Sequence, residues 1–161
     1  MIKKDLLLGF ANNKNILRQF VSAMREDEIH RRIKDFWTIY EHIDHLVLTQ
    51  KILLGRIQQF IVEEKPVMRP YTPDAAPAVE DARKNARELM SEFCKLRDMQ
   101  IALVRKARRA VWLKAGSHEE YSKYSFEILL RHLLLHDSFH MARMEELWIK
   151  KEELIMELDQ S

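Results

Sequence analysis

Three of the seven histidines in this chain, His132, His136 and His140, follow one another at intervals of four residues. On an α-helix, side chains four residues apart lie on one face with their Cβ atoms about 5–6 Å apart. Two neutral imidazoles placed in this way can share one metal ion, whose third ligand must then come from a neighbouring helix. His42 and His45, three residues apart, are the candidates for that third ligand, and helical geometry does not choose between them.

The apolar pattern around these three helix-four histidines, which we call the ladder, predicts which of them face the interior. His140 lies near the centre of the apolar stripe, His136 lies near its edge, and His132 lies further round toward the flank. His136 and His140 are therefore predicted to point inward. The alternative interpretation is that these residues are core or surface histidines with ordinary hydrogen-bonded partners.

Two better-known helical metal motifs fit the sequence less well. The HExxH motif of zinc proteases supplies a glutamate as general base, whereas the segment HDSFH has Asp137, one methylene shorter, at that position. Ferritin-like di-iron sites use repeated Glu-x-x-His, and this motif does not occur in the chain. A mononuclear site with three histidine ligands remains, with an open coordination position of the kind typical of catalytic zinc. Because imidazole suits zinc, nickel, iron and copper alike, the sequence does not identify the metal.

The elements that must position these histidines are predicted to be helices. Apolar residues recur with helical periodicity in four long segments, and no strand pattern or internal repeat is present. Thr38-x-x-Glu41 and Ser117-x-x-Glu120 match the capping box that begins many helices. All four prolines lie in the segment 66–77, which is therefore predicted to be a loop. The fold class predicted is all-α, a four-helix bundle. The helices are predicted to cover residues 3–24, 38–63, 76–109 and 120–157.

Composition and charge are those of an ordinary globular protein, and the length fits one domain covering residues 1–161. Hydrophobic residues make up 47% and charged residues 32%, and the net charge of +2 gives no general attraction to nucleic acid or to an anionic membrane. Cys94 is alone, which suits a reducing compartment, and no signal-peptide core or apolar run approaching ~20 residues is present. A cytoplasmic location without a membrane partner is expected.

One basic segment, RKARRAVWLK at residues 105–114, has two interpretations. A nucleic-acid site would use its charges on phosphates and the indole of Trp112 for base stacking. Lysine and arginine near the C-terminus of a helix also complement the helix dipole without any ligand. Because the whole chain is close to neutral, the second interpretation is preferred and no nucleic-acid partner is expected.

Two segments carry a resemblance to a known family. WTIYEHIDHLVLTQKILLGRI, residues 37–57, and HDSFHMARMEEL, residues 136–147, resemble the DinB-like metal-binding bundle family, which includes the bacillithiol S-transferase-type proteins. The resemblance implies an up-down-down-up four-helix bundle that is commonly dimeric. It also implies that one histidine of the second helix and a His-x3-His pair of the fourth helix bind a divalent metal ion.

The family pattern chooses among the candidate ligands. The tryptophan of the family lies eight residues before its helix-two ligand, and in this chain Trp37 lies eight residues before His45. The resemblance therefore selects His45 rather than His42, together with the pair His136 and His140. It leaves His132 outside the site.

The resemblance also implies a function, which is that of a divalent-metal-dependent enzyme acting on a small electrophilic molecule. Thiol transfer is expected first and hydrolysis second, with zinc, nickel or iron as the metal and a homodimer as the assembly. The thiol would come from a low-molecular-weight cosubstrate, since Cys94 is expected to be a buried small apolar residue. The alternative is a non-catalytic helical bundle that acts through a protein partner.

Three polar residues near the candidate ligands have two interpretations each. Arg143, where many relatives have glutamine or histidine, is the candidate for binding an anionic group of the substrate, and the alternative is a solvated or ion-paired arginine. Glu41 could accept a hydrogen bond from the ring N–H of a metal-ligating histidine, but its capping box with Thr38 already accounts for a glutamate at this position. Asp137 could likewise accept a hydrogen bond from a neighbouring histidine, but a simple polar position is the preferred interpretation.

Overall fold

Four long helices form a bundle in the computed structural model, which describes residues 3–70 and 84–155. The helix α4 packs between α1 and α3, and α6 packs against the same two helices on the opposite side. The helices are, in chain order, α1 (Lys3–Ser22), the short α2 (Glu26–His30), α3 (Ile39–Val62), α4 (Ala86–Lys106), the short α5 (Arg109–Trp112) and α6 (Phe126–Ile149).

The directions of the four long helices follow from contacts near their ends. The ammonium of Lys3 donates to the carbonyl of Arg105, so α1 runs antiparallel to α4. The hydroxyl of Tyr40 donates to the carbonyl of Lys84, so α3 and α4 begin at the same end of the bundle. Aromatic rings at the end of α3 and the start of α6 are in contact. The bundle is therefore up-down-down-up, as predicted.

A small sheet at one end of the bundle shows that the prediction of no strands is wrong. It contains β1 (Val67–Met68), β2 (Ala115–His118) and β3 (Tyr121–Ser125) in that spatial order, with β1 parallel to β2 and β2 antiparallel to β3. At Gly116 a Cβ atom would lie 2.8 Å from a ring carbon of Phe60 and 3.0 Å from the carbonyl oxygen of Pro66. The hairpin of β2 and β3 can therefore lie directly against α3 only with glycine at this position.

The hairpin also changes the predicted start of the last helix. The expected capping box at Ser117 is wrong, because Ser117 lies in β2 and its backbone N–H donates to the carbonyl of Pro66. Ser125 is the N-cap instead, and its hydroxyl accepts from the N–H of Ile128. The helix α6 ends at Ile149 rather than at 157, and a short 3-10 helix, Glu152–Leu154, follows.

The other helix boundaries are closer to the prediction. α3 begins after Thr38 through the predicted capping box, in which Glu41 accepts from the N–H of Thr38 at 2.7 Å. α4 begins after Asn85 through a capping box that the sequence reading missed, and it ends at Lys106 rather than at 109. Most of the predicted proline loop and the predicted start of the third helix, within residues 71–83, lie outside the described residues.

The interior of the bundle has two apolar clusters separated by polar side chains. One cluster is centred on Ile43, Phe93 and Met144, and the other is centred on Phe60 and Phe126. Between them, at intermediate positions of α3, α4 and α6, lies a set of buried residues that we call the polar layer: Gln50, Arg97, Gln100 and Asp137. No helix within residues 3–70 and 84–155 is long and apolar enough to cross a bilayer.

Candidate metal centre

The three histidines selected from the sequence meet between α3 and α6. We call His45, His136 and His140 the histidine cluster. Each of them offers a ring nitrogen, and these nitrogens all lie within 4.8 Å of one another. The Nε2 atoms of His45 and His136 are 3.2 Å apart. The ring centroid of His140 lies 4.7 Å from that of His45 and 4.5 Å from that of His136.

His42 contacts His140 but is not a member of the histidine cluster. Its Nδ1 atom lies 2.9 Å from the Nδ1 atom of His140, and both side chains are buried. One of these nitrogens must carry the proton and the other must accept it, which fixes the orientation of both rings. Because Nδ1 of His140 is engaged in this way, its Nε2 atom is the ring nitrogen left for a metal ion.

Trp37 covers the side of the cluster that lies nearest the start of α3. Its ring centroid is 5.2 Å from that of His45 and 5.3 Å from that of His42. It stacks nearly parallel to the ring of His140, with an interplanar angle of 9° and a centroid distance of 6.2 Å. The indole therefore excludes water from this side, and it explains the eight-residue spacing from Trp37 to His45.

Burial keeps the imidazoles near the cluster neutral. Loss of solvation lowers the pKa of His42 to about 4, with a smaller contribution from the positive charge of Arg143. Loss of solvation also lowers the pKa of His136 to about 4 and that of His140 to about 2, and neighbouring imidazoles add to both shifts. The pKa of His45 is lowered for the same first reason. At neutral pH these rings therefore present lone pairs, which is the form that a metal ion requires.

The cluster fits a divalent ion in donor type and, for the pair His45 and His136, in spacing. Bonds of about 2.0–2.1 Å in a tetrahedral arrangement place two ligand nitrogens about 3.3 Å apart. The separation of 3.2 Å between Nε2 of His45 and Nε2 of His136 matches that value. Nδ1 of His136 is buried and has no hydrogen-bond partner among the described residues, whereas its Nε2 atom faces Nε2 of His45.

The polar layer lies directly beside the cluster and corrects the interpretation of Asp137. The carboxylate of Asp137 is fully buried and accepts hydrogen bonds from the guanidinium of Arg97 at 2.6 Å and from the side-chain amide of Gln50 at 3.1 Å. Arg97 also donates to the side-chain oxygen of Gln50, which ties α4 to α3. Burial raises the pKa of Asp137 in spite of the opposing charge. Since Asp137 follows His136 directly, these contacts fix the rotation of α6 that points His136 and His140 inward.

A cavity of about 450 Å³ borders the cluster on the side away from Trp37. His45 and His136 line one part of it, and apolar side chains of α3 and α6 line its middle. The far part is formed by Arg56 and by four aromatic rings that we call the four-ring cluster, His118, Tyr121, Tyr124 and His132. The sequence reading missed this wall, because the hairpin that supplies three of the four rings was assigned to a helix and its connection.

The remaining candidates have structural partners. His132 belongs to the four-ring cluster and not to the histidine cluster, with its ring centroid 5.1 Å from that of Tyr121. Arg143 is buried, donates to Glu146 at 2.7 Å and lies over the ring of Phe36, which matches the ion-paired interpretation. It is not one of the described residues that line the cavity.

Cys94 and the basic segment also have clear environments. Cys94 is half-buried against the core, and burial raises the pKa of its thiol. The ammonium of Lys114 donates to the carbonyl of Phe60 at the end of α3. The indole of Trp112 packs edge-on against Phe126, with its ring nitrogen buried. These contacts leave Trp112 unsuited to stacking on a base.

The comparisons with known proteins agree with this geometry. The model of the DinB superfamily matches residues 10–144. The chain belongs to the DinB superfamily. Among solved structures, the chain is similar to YfiT from Bacillus subtilis, with a TM-score of 0.77, 20% sequence identity, and coverage of 90% of this chain and 85% of that chain. YfiT is described as a probable metal-dependent hydrolase with an unusual four-helix bundle topology. At this identity the likeness shows the shared fold. No curated protein matches the sequence.

Proposed function

We propose that this DinB-superfamily protein is a divalent-metal-dependent enzyme that acts on a small molecule, with His45, His136 and His140 as the metal ligands. The observation that carries the proposal is the convergence of three ring nitrogens within 4.8 Å, two of whose rings also line a cavity. Neutral imidazoles that border an open cavity are the arrangement of a catalytic site rather than of a closed structural one. Zinc, nickel and iron all suit the ligand set.

The proposed chemistry is thiol transfer to an electrophilic molecule, with hydrolysis as the second candidate. A divalent ion on three imidazoles supplies an open position at which a thiol or a water molecule has a lowered pKa. Cys94 lies on α4 and is not one of the described residues that line the cavity, and burial raises the pKa of its thiol; the proposed thiol is therefore a low-molecular-weight cosubstrate. Thiol transfer follows from the resemblance of the helix-two and helix-four segments, and the description of YfiT favours hydrolysis.

The metal assignment is tested by measuring bound metal in purified protein by elemental mass spectrometry. We expect about one divalent ion per chain in the parent protein and a loss of most of it in His45→Ala, His136→Ala and His140→Ala. His132→Ala is the matched control, because this residue lies on the same helix face one turn before His136 and outside the histidine cluster. Equal metal loss in the control, or no bound metal in the parent after loading, would contradict the assignment.

The reaction type is tested on metal-loaded protein with a panel of thiols and electrophiles. Consumption of an electrophile that requires an added thiol and disappears in His140→Ala supports thiol transfer. Consumption without any thiol supports hydrolysis. If metal-loaded protein consumes none of the electrophiles or esters in either condition, the alternative of a non-catalytic bundle with a protein partner is favoured instead.

Further proposals concern the domain organisation, the assembly and the partners of the protein. We propose one domain over residues 1–161, a homodimer in the cytoplasm, and no nucleic-acid partner. The side chains of Leu135 and Phe139, one turn apart on α6, are exposed and apolar, which supports a face available for a second copy. Light scattering of the purified protein tests the dimer, and salt-dependent gel retardation tests the absence of nucleic-acid binding.

A further inference from the structure

We propose that the cavity binds an elongated organic acid with a single negative charge, whose anionic group pairs with Arg56 and whose flat, unsaturated part lies against the four-ring cluster. The proposal rests on the proposed function for one point only, that the reacting end of the molecule faces His45 and His136. It names the substrate class for that site.

The cavity has two chemically different ends on the same helix. His45 and Arg56 both line it from α3 and are separated by eleven residues, which is about 16 Å along the helix axis at a rise of 1.5 Å per residue. Between them the wall is formed by Thr49, Ile52 and Leu53. A compact molecule would therefore reach only one end, whereas an elongated one reaches both.

Arg56 supplies the argument for an anion. It is half-buried, it is the one lysine or arginine among the described residues that line the cavity, and it makes no ion pair with any described carboxylate. One amino group of its guanidinium donates to the carbonyl of Arg69, which holds the side chain in place. A guanidinium carries five donors, so the remaining ones can bind a carboxylate.

The four-ring cluster supplies the argument for a flat, unsaturated portion. Its rings contact one another with centroid distances of 4.7 Å between His118 and Tyr121 and 5.0 Å between His118 and Tyr124. His132, from α6, joins them at 5.9 Å from Tyr124. Aromatic side chains favour stacked or edge-on contacts with a further ring by about 0.5–1.5 kcal/mol beyond simple burial. A wall of this kind therefore selects a ring or a conjugated chain over a saturated one.

The charges of the cavity limit the anion to a single negative charge. Glu120 lines the same end as Arg56, so the described wall carries one positive and one negative side chain. At this end of the cavity, about 16 Å along α3 from His45, a triphosphate or another polyanion would face the carboxylate of Glu120 with only Arg56 to neutralise it. A monocarboxylate avoids that repulsion, because it needs one guanidinium and leaves Glu120 in solvent.

The test uses three probe molecules of nearly equal size: 4-phenylbutanoate, 4-phenylbutanamide and 4-cyclohexylbutanoate. Binding is measured by titration calorimetry on zinc-loaded and on chelator-treated protein. The variants are Arg56→Met, Arg56→Lys and Tyr121→Leu. Lys51→Met is the matched control, since Lys51 is an exposed cation of α3 that pairs with Glu92 outside the cavity. Thermal unfolding of each variant verifies that it is folded.

We expect the parent protein to bind the acid about five- to tenfold more tightly than the amide, with or without zinc. Arg56→Met should reduce this ratio to below about twofold, whereas Arg56→Lys and Lys51→Met should retain it. Tyr121→Leu should reduce the preference for the phenyl over the cyclohexyl acid. These results together would support the proposal.

Three results would overturn it. They are a parent protein with no preference for the acid, a preference that survives Arg56→Met, and a preference that exists only with zinc bound. In the last case the acid binds at the histidine cluster, so the proposed function stands while this inference fails. Conversely, an Arg56-dependent preference in a protein that binds no metal would leave the inference intact and refute the proposed function.

Discussion

Replacement of Arg97 by methionine should destabilise the protein strongly, because it leaves the carboxylate of Asp137 buried without its counterion. Arg97 is fully buried, donates to Asp137 at 2.6 Å, and lies between the rings of Phe10 and Phe93 at 5.0 and 5.3 Å. Removal of one member of a buried ion pair costs about 3–5 kcal/mol. For a chain of this length that loss corresponds to a decrease in melting temperature of about 6–20 °C.

The pH dependence of this loss distinguishes its cause. Burial already raises the pKa of Asp137 with Arg97 present, and without the guanidinium that pKa rises further. The folded variant then binds a proton that the unfolded chain, with an aspartate pKa of about 3.9, does not hold. As pH falls through the raised pKa, the deficit of Arg97→Met relative to the parent should therefore shrink.

The assay is urea unfolding followed by circular dichroism between pH 5 and pH 8. The double variant Arg97→Met/Asp137→Leu removes both charges and should recover most of the lost stability. Lys14→Met, which removes a pair with the largely exposed Asp98, is the control and should cost at most about 1 kcal/mol. A loss below about 1 kcal/mol for Arg97→Met, or a deficit that is independent of pH and persists in the double variant, would refute the reasoning.

Three further outcomes are expected. In the folded protein the pKa values of His42 and His136 are about 4 and that of His140 is about 2, against about 6.5 in the unfolded chain. Below pH 6.5 the unfolded chain therefore binds more protons than the folded protein. Metal-free protein should lose stability as pH falls from about 6.5 toward 4, by on the order of 1.4 kcal/mol per pH unit for each histidine that stays neutral in the folded state. Chemical unfolding at several pH values measures this, and a flat profile would contradict it. Gly55→Ala should stabilise the protein by about 0.5–1 kcal/mol, since no neighbour lies within 4 Å of the added Cβ atom. Gly116→Ala should destabilise it by about 1–3 kcal/mol, since the added Cβ atom would lie 2.8 Å from the ring of Phe60. Equal melting temperatures of the two variants would refute both predictions. If the histidine cluster binds metal, His42→Ala should weaken zinc affinity about 10- to 100-fold by releasing the ring of His140, and unchanged affinity in a competition assay with a chromogenic chelator would rule out that support.

The sequence was sufficient for those features that depend on local patterns. Helical periodicity predicted the four long helices, and the capping box at Thr38 predicted where α3 begins. The apolar pattern around the three spaced histidines predicted that His136 and His140 face inward. The choice of His45 over His42 came from the family resemblance, since both side chains lie near the cluster and only one of them faces His136.

The features that were missed depend on contacts between distant parts of the chain. Asp137 is paired with Arg97, forty residues earlier, and nothing in the local sequence of either residue indicates the pair. The hairpin was missed because its strands are short and their sequence lacks a regular alternation of apolar and polar residues. Its position depends on the close contact of Gly116 with α3, which is visible only in three dimensions. The aromatic wall of the cavity was hidden for the same reason.

The position of Trp37 gives the unmodified protein an internal optical probe. Indole emission responds to the charge and the motion of an adjacent imidazole, and this indole stacks on His140 while it also contacts His45. The other two tryptophans lie against phenylalanine rings elsewhere in the bundle. A change in fluorescence when an ion is added therefore reports on the rings beside Trp37, so occupancy can be followed in real time without a label.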